Sequence, residues 1–315
     1  MIIDQMADIS IVVPVLNDEK GLLFTLSSIE SAAAFAESLV VEVIVIDGNG
    51  KSSERLVDAL RLWPHLRIRQ EEDPARGAYA AVDRGLAVAS GPIQGWLNAG
   101  DYIFPQALYV VGLVFDSYAR IDWVCGHSAL MSETGLIGKI DSWPVYYPSR
   151  FISAGLYQKN GLGYLQQEGM FWRRTLYSQA RGLDLSLKLA ADFDLWKRFS
   201  NISSLATIAT PIAAFEVSPS TQRSRIFESE YLAEVSSRTS QRPWSLIFKF
   251  LGSIGYSLVV LLRFLFFSAG TVIFVDVERG KLVPIVGLWP AARVSLWGLI
   301  STIRIDKARN HAQKG

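Results

Sequence analysis

Short β-branched runs alternate with helix-periodic stretches through the first hundred residues, and that alternation leaves few folds open to the chain. Residues 9–15 (I-S-I-V-V-P-V) form an apolar run that ends near Asn17 and Asp18, and 21–37 follow with Leu, Ile, Ala and Phe at helical spacing. Residues 40–46 repeat the strand signature and stop at Asp47-Gly48-Asn49-Gly50. Helical spacing over 53–63, a short strand at 66–69, a helix over 76–89 and a strand at 93–97 continue the pattern. Strands and helices in this order predict βαβ units, right-handed crossovers and a mostly parallel sheet. In such an open sheet, ligands sit outside the carboxyl ends of the strands. Two acids are placed there: Asp47 closes the run 40–46, and Asp101 stands just past 93–97 in G-W-L-N-A-G-D.

Beyond Asp101 the alternation loosens. Residues 105–119 predict a helix, 123–127 a strand, and the pieces around Leu130 and Ile137 a hairpin turning at Glu133-Thr134-Gly135. The segment 142–165, with Trp143, Pro144, Pro148, Gly155, Gly161 and Gly163, has no clear period. A long irregular stretch inside a compact domain is expected to be a lid or binding loop. A strand at 169–173, a short helix at 175–180, a helix at 190–199, two short strands within 201–217 and a charged amphipathic helix over 221–237 complete the body. Composition shifts at Arg242-Pro243-Trp244, which divides the chain into a body, 1–240, with halves 1–101 and 102–240, and a tail, 241–315.

Half of the residues are apolar and 19% are charged, and the charge is unevenly spread. Residues 238–315 hold 11 of the 31 Lys and Arg but only 3 of the 30 Asp and Glu, which leaves the body 20 basic residues against 27 acidic ones. A basic, apolar tail on an acidic body is the pattern expected for attachment to an anionic membrane face, where each Lys or Arg is worth roughly 1 kcal/mol. The runs 244–274 and 282–303 are almost wholly apolar but are interrupted by Lys249, Arg263, Pro284, Pro290 and Arg293. A spanning helix wants about 20 uninterrupted apolar residues. Lys249 and Arg263 fall within about 40 degrees of each other on a helical wheel. An interfacial helical extension over 244–303, with Trp244, Trp289 and Trp297 at headgroup level, is therefore expected, ahead of a transmembrane hairpin or a helical hairpin packed on the body. Cys125 is the only cysteine, so an intrachain disulfide is excluded, and the first residues lack the basic n-region and long h-region of a secretion signal. His65, His127 and His311 lack metal-ligand spacing.

Several blocks carry a resemblance. I-S-I-V-V-P-V-L-N-D-E at 9–19, V-E-V-I-V-I-D-G-N-G at 41–50, R-G-A-Y-A-A-V-D-R-G at 76–85 and G-W-L-N-A-G-D at 95–101 resemble family 2 glycosyltransferases of the GT-A fold, as do the later E-G-M-F-W-R-R-T-L-Y and A-A-D-F-D-L-W-K-R. The likeness covers about residues 8–217. It implies an α/β nucleotide-diphospho-sugar transferase fold, Rossmann-like and mostly parallel, with a nucleotide-binding half 1–101, an acceptor half 102–240 and the hydrophobic helical extension.

The resemblance also assigns roles to positions. Pro14, Val15, Asp47, Arg76 and Asn98 match nucleotide-binding positions, with Asp47 on the nucleobase, where a carboxylate can accept an N–H of uracil or guanine. Asp101 matches the last acid of the D-x-D signature, which ligates Mg²⁺ or Mn²⁺ across the donor's diphosphate. The earlier acid is replaced by Asn98, expected to orient a ribose or a metal-bound water. Asp192 matches the general base of inverting members. Asp192 and Asp194 lie about 200 degrees apart on a helix, so they cannot share that role. Glu168, Arg173 and Arg174 are expected contacts to acceptor or phosphate. Ala80 stands where the family often has Asp, and Gln167-Glu168 where it often has His-Gln.

The function implied is transfer of a sugar from a nucleotide-diphosphate donor, with inversion, to a hydroxyl of a lipid-linked saccharide in cell-surface polysaccharide biosynthesis. The cytoplasmic face of a bacterial inner membrane is the expected site of action, with membrane lipid bound through residues 244–303, no nucleic-acid partner, and homo-oligomer formation left open. Alternative readings are a polyprenyl-phosphate glycosyltransferase, whose acceptor is already anionic, and an inactive membrane-bound scaffold of the same fold.

Overall fold

The computed structural model describes residues 6–48, 62–73, 77–132, 134–140, 147–158, 163–217, 227–239, 270–276 and 281–287. Arg76, most of the expected helix 53–63, the turn residue Glu133 and the tail segments 244–269 and 288–303 lie outside them. Strands β1 (Ile9–Val15), β2 (Val41–Asp47), β3 (Leu66–Glu72) and β4 (Ile93–Trp96) form the parallel part of one sheet, with β1 between β2 and β4. Beyond β4 the sheet continues through β8 (Phe171–Arg173), β6 (Trp123–Met131) and β9 (Ala206–Glu216), with β8 antiparallel to both of its neighbours. β5 (Tyr102–Ile103) pairs with β9, and β7 (Ile137–Ile140) forms the expected hairpin with β6. The sheet is α/β and mixed, as in the GT-A layout.

Burial on both faces explains the continuous apolar runs of β1 and β2. Ile11, Val13, Val43 and Val45 face one core with helices α1 (Glu19–Phe35) and α3 (Ala107–Ser117). Val12, Ile44 and Ile46 face the other, with α2 (Ala78–Val88), α5 (Arg174–Gln179) and α6 (Ala191–Ile202). Helix α1 starts where Asp18 caps it, accepting from the Gly21 N–H at 2.8 Å, with Glu19 in its first turn. α2 lies so close to β1 that a Cβ at Gly85 would sit 2.5 Å from Val12 Cγ1. Two further short helices, α4 (Ser149–Ser153) and α7 (Glu228–Arg238), flank α6; α4 occupies part of the stretch that showed no period in the sequence.

The second core is dominated by indoles. Trp196 of α6 stacks on Trp96 of β4 and on Trp123 of β6, each at 5.9 Å between ring centroids, and Trp172 of β8 lies 5.7 Å away. Phe199, one turn on, meets Trp123 edge-on at 5.3 Å. These contacts fasten α6 across the middle of the sheet.

Two sequence expectations are corrected. Within 201–217 there is one long strand, β9, not two; the break felt in the sequence is a pair of register shifts of β9 against β6 around His127. The expected C-terminal helical extension is not seen where the chain is described. Instead β10 (Gly270–Asp276) adds to β9 in parallel and β11 (Lys281–Gly287) returns antiparallel to it. Short apolar runs do not reveal by periodicity whether they are strand or helix, and T-V-I-F-V is rich in β-branched and aromatic residues. Ile273 is fully buried beside Ile208 in the first core, whereas Pro284 sits on outermost β11, an edge strand, where proline is tolerated. Among the described residues no helix is long and apolar enough to cross a membrane.

At the edge away from the strands' carboxyl ends, one buried acid ties three segments together. Glu42 Oε2 accepts from Ser10 Oγ at 2.6 Å, from the Ser90 N–H at 2.8 Å and from Ser90 Oγ at 3.0 Å, while Ser10 Oγ accepts from the Gly91 N–H at 2.9 Å. Burial raises the Glu42 pKa, but these donors, with Arg69 beside them, outweigh it and hold the group below its ordinary 4.5. A depressed folded-state pKa contributes stability above the unfolded value that is lost as pH falls through the folded one. Glu42→Gln is expected to cost about 1–3 kcal/mol at pH 7, with the gap to the parent closing as pH drops below 4.5, read from urea unfolding at several pH values.

Candidate active site

The carboxyl ends of β4, β1 and β2 lie side by side and assemble one half of the site. Val15 is in register with Asp47; the Gly48 N–H donates to the Val15 carbonyl at 2.9 Å, and Leu97 N–H to the Val12 carbonyl at 3.0 Å. Pro14, Val15, Asp47 and the turn Asn98–Asp101 therefore share one rim, as expected for ligands of an open sheet. Asp47 is buried there.

The turn after β4 is locked from several sides. Gly100 has φ of 97°, a left-handed conformation that favours glycine, and its N–H lies 3.0 Å from Thr25 Oγ1 of α1. Thr25 Oγ1 in turn donates to the Asp101 carbonyl at 2.7 Å. Asn98 donates from both its backbone N–H and its side-chain amide to Asp101 Oδ2, each at 3.1 Å. The same amide nitrogen lies 3.3 Å from Gln167 Oε1, and Gln167 Nε2 donates to the Trp96 carbonyl at 2.6 Å. Asn98 thus acts on Asp101 itself, fixing the carboxylate's orientation.

Asp101 is 6% exposed, and burial pushes its pKa up to about 7 against the pull of the Asn98 donors and the Glu216 N–H; the Glu216 charge adds to the rise. Glu216 Oε2 would lie 3.4 Å from a Cβ at Gly100. Glu168 follows Gln167 directly. Its Oε2 is sealed from solvent without a hydrogen-bond partner among the described residues. Burial, then the charges of Asp101 and of Asp192, push its pKa well above the ordinary range. Glu168 is thus near enough to both acids to feel their charge.

Asp192 stands in the first turn of α6, partly buried, where it lines an open pocket with Tyr164, Phe193, Lys197 and Tyr231. Tyr79 Oη of α2 lies 2.9 Å from Asp192 Oδ1 and 3.1 Å from the Leu189 carbonyl. Burial raises the Asp192 pKa, the Phe193 N–H and Tyr79 hydroxyl oppose the rise, and Glu234 adds to it. Burial and the charge of Asp192 likewise lift the Tyr79 hydroxyl well above 10. Glu234 of α7 accepts the N–H groups of Lys188, Leu189 and Ala190 at 2.8–2.9 Å, which anchors the chain entering α6. Asp194 faces elsewhere: it pairs with Arg198 at 2.7 Å, and Arg198 also donates to the Ala180 and Gly182 carbonyls.

Two expected contacts are not at this rim. Arg173 donates to the carbonyls of Phe115 at 2.7 Å and Ile121 at 3.0 Å and stacks over the Phe115 ring, capping α3. Arg174 donates to the Ala89 carbonyl at 3.3 Å. β8 runs antiparallel, with Arg173 opposite Ile93 at the start of β4, so both guanidiniums emerge at the end away from Asp101. Ala80 is buried in α2. Sequence reasoning did not identify Tyr79, Lys197, Tyr231 or Glu234; Tyr79 lies within the quoted R-G-A-Y-A-A block, while the others carry no local signature.

An acid whose folded pKa is raised keeps its proton in the folded state over a range where the unfolded chain has lost it, so stability falls as pH rises from about 4 to about 7. In the presence of a chelator, Asp101→Asn is expected to lessen that decline, Glu168 and Asp192 keeping their own shares, and to be more stable than the parent above pH 7 by at least ~1 kcal/mol. Thermal unfolding across pH 4–8 measures it, and parallel curves for the two proteins would contradict a buried, uncompensated Asp101.

Comparison with known proteins agrees with this geometry. The model of Glycosyl transferase family 2 matches residues 10–154. No curated protein matches the sequence. The fold is shared with S. aureus TarS (20% identity, TM-score 0.51, covering 67% of this chain and 37% of that one) and with TarS 1-349 in complex with UDP-GlcNAc (16%, 0.56, 73% and 66%). It is shared also with the mannosyltransferase PcManGT of Pyrobaculum calidifontis in complex with GDP-Man and Mn²⁺ (15%, 0.50, 82% and 80%). The chain spans little more than a third of the full TarS structure's length. The family match takes in residues 10–154, which hold the Asp47 and Asp101 half of the rim, and together with the shared fold it supports a glycosyltransferase.

Proposed function

We propose that the chain transfers a sugar from a nucleotide-diphosphate donor, with inversion, to a hydroxyl of a lipid-linked saccharide in bacterial surface-polysaccharide biosynthesis. The observation that carries this reading is the position of Glu168, which feels the charges of both Asp101 and Asp192. On this reading the nucleotide side, Pro14, Val15, Asp47 and Asp101, and the acceptor side, Asp192, border one cleft. Nucleotide sugars bound to TarS 1-349 and PcManGT support the donor class. The basic, apolar composition of 238–315 supports a lipid-borne acceptor and work at the cytoplasmic membrane face.

Asp192 supplies the base. As the acceptor oxygen attacks the anomeric carbon, Asp192 takes its proton, and the bond from that carbon to the diphosphate breaks on the opposite side with its electron pair. A carboxylate with a raised pKa is better matched to this task than an ordinary one. Tyr79 holds Oδ1 in place. Its single proton can point to the carboxylate, or to the Leu189 carbonyl once Asp192 carries the acceptor's proton, so one contact serves both charge states.

For a divalent ion, no group of three His, Cys, Asp or Glu among the described residues is placed as a ligand set. The residues fit a sparser site. Asp101 is buried and Glu168 half-buried, both have raised pKa values, and neither has an ion pair among the described residues, so the site holds an excess of acid. Asp101 would hold Mg²⁺ or Mn²⁺ through one carboxylate, the donor's diphosphate and water completing the shell. When bound, such an ion neutralises charge on the departing diphosphate.

Consumption of UDP-GlcNAc and GDP-mannose with Mn²⁺ and a membrane-extract acceptor tests the reading. Asp192→Asn is expected to lower kcat by about 10²–10⁴-fold, and Asp101→Ala to abolish metal-dependent turnover. Turnover untouched by Asp192→Asn would favour a polyprenyl-phosphate acceptor, and none with any donor the inactive scaffold. Tyr79→Phe is expected to lower kcat about tenfold and to move the acidic limb of the pH–rate profile upward, because the carboxylate loses a donor that stabilises its charged form.

A further inference from the structure

Among the described residues, the pocket beside Asp192 is lined by one cation, Lys197, which makes no ion pair there. Lys197 and Asp192 both line the pocket from α6, against the rings of Tyr164 and Tyr231, whose centroids are 6.3 Å apart. The other basic residues nearby are committed: Arg198 to Asp194 and two carbonyls, Arg238 to Asp184. Lys197 Nζ makes no hydrogen bond or ion pair among the described residues; its one close neighbour is the Phe193 ring, 5.7 Å from centroid. A partly buried ammonium loses hydration and recovers it only through an anion or donor-rich contact. Its electrostatic neighbours are Asp194 and Arg238.

We propose that Lys197 is a specificity residue for an anionic acceptor: the saccharide stacks on Tyr164 and Tyr231 while its carboxylate or phosphate meets the Lys197 ammonium, which presents a hydroxyl to Asp192. The inference rests on the transferase reading and adds to it the charge of the acceptor. A pyranose carrying one acid group matches this chemistry, because an aromatic ring offers an apolar face and a single ammonium answers a single charge. The anion could be a uronic acid within the saccharide or a phosphate at its lipid-linked end, and these are separable.

Binding of methyl β-D-glucuronide, glucose 1-phosphate and methyl β-D-glucoside to the full chain, followed by saturation-transfer NMR, tests the proposal, with UDP release from UDP-GlcNAc and GDP release from GDP-mannose measured in parallel. The parent is expected to bind at least one of the two anionic probes at least tenfold more tightly than the neutral one, the uronate leading if the acid lies in the saccharide and the phosphate leading if it lies at the lipid end. Lys197→Met should erase the preference, Lys197→Arg should keep most of it, and UDP affinity should be unchanged in both. Equal binding of all three probes by the parent, an unaltered preference in Lys197→Met, or loss of UDP binding with the lysine would each overturn it. If neither nucleotide is released while the charge preference stands, the transferase reading fails and the anion site remains. If release proceeds with no charge preference, the lysine's role fails alone.

Discussion

The stack of Trp196 on Trp96 and Trp123 is the contact on which the site depends. α6 carries Asp192 in its first turn, and a helix placed on a sheet by side-chain packing alone can slide or roll unless something bulky fixes it. Indoles bury a large apolar area and, in stacked or edge-on pairs, add about 0.5–1.5 kcal/mol beyond that area. Here Trp196 draws on β4 and β6 together, with Trp172 of β8 beside it, so the helix position is referred to the same strands that position the donor rim. Trp96 has a second duty, since its carbonyl receives Gln167, whose amide oxygen lies next to Asn98. Packing and hydrogen bonding thus join the two acids through one strand.

That frame carries an electrostatic load. Asp101, Glu168 and Asp192 are all raised above their ordinary values chiefly by burial, and burying charge without compensation is unfavourable. The other end of the strands shows the opposite arrangement, with Glu42 saturated by donors and held low. One edge of the sheet is built to be stable and the other to be reactive, a division common to folds whose ligands gather at the carboxyl ends of strands.

The sequence disclosed the first hundred residues well because their signals are local. A β-branched run, an acid at its end and a glycine turn are neighbours in the chain, so β1, β2, β4, Asp47 and Asp101 could be read directly. Glu168 and Asp192 could be placed by likeness, but not their mutual influence, which arises across the fold. Arg173 and Arg174 misled for the same reason: they sit in a matching block, yet the antiparallel direction of β8, which no periodicity reveals, turns them to the far end. Tyr79, Lys197 and Glu234 act through partners more than thirty residues away or through a pocket wall, and nothing in their local spacing marks them. The tail misled because an apolar run of strand length has no period to distinguish it from helix.

The β10–β11 hairpin changes what the composition boundary near residue 242 means. Past that point the chain rejoins the sheet, with Thr271–Ile273 lying in register against Ala206–Ile208. A protein shortened at the apparent boundary would lose these strands and leave the peptide groups of Ala206–Ile208 as an open edge, inviting strand-to-strand aggregation.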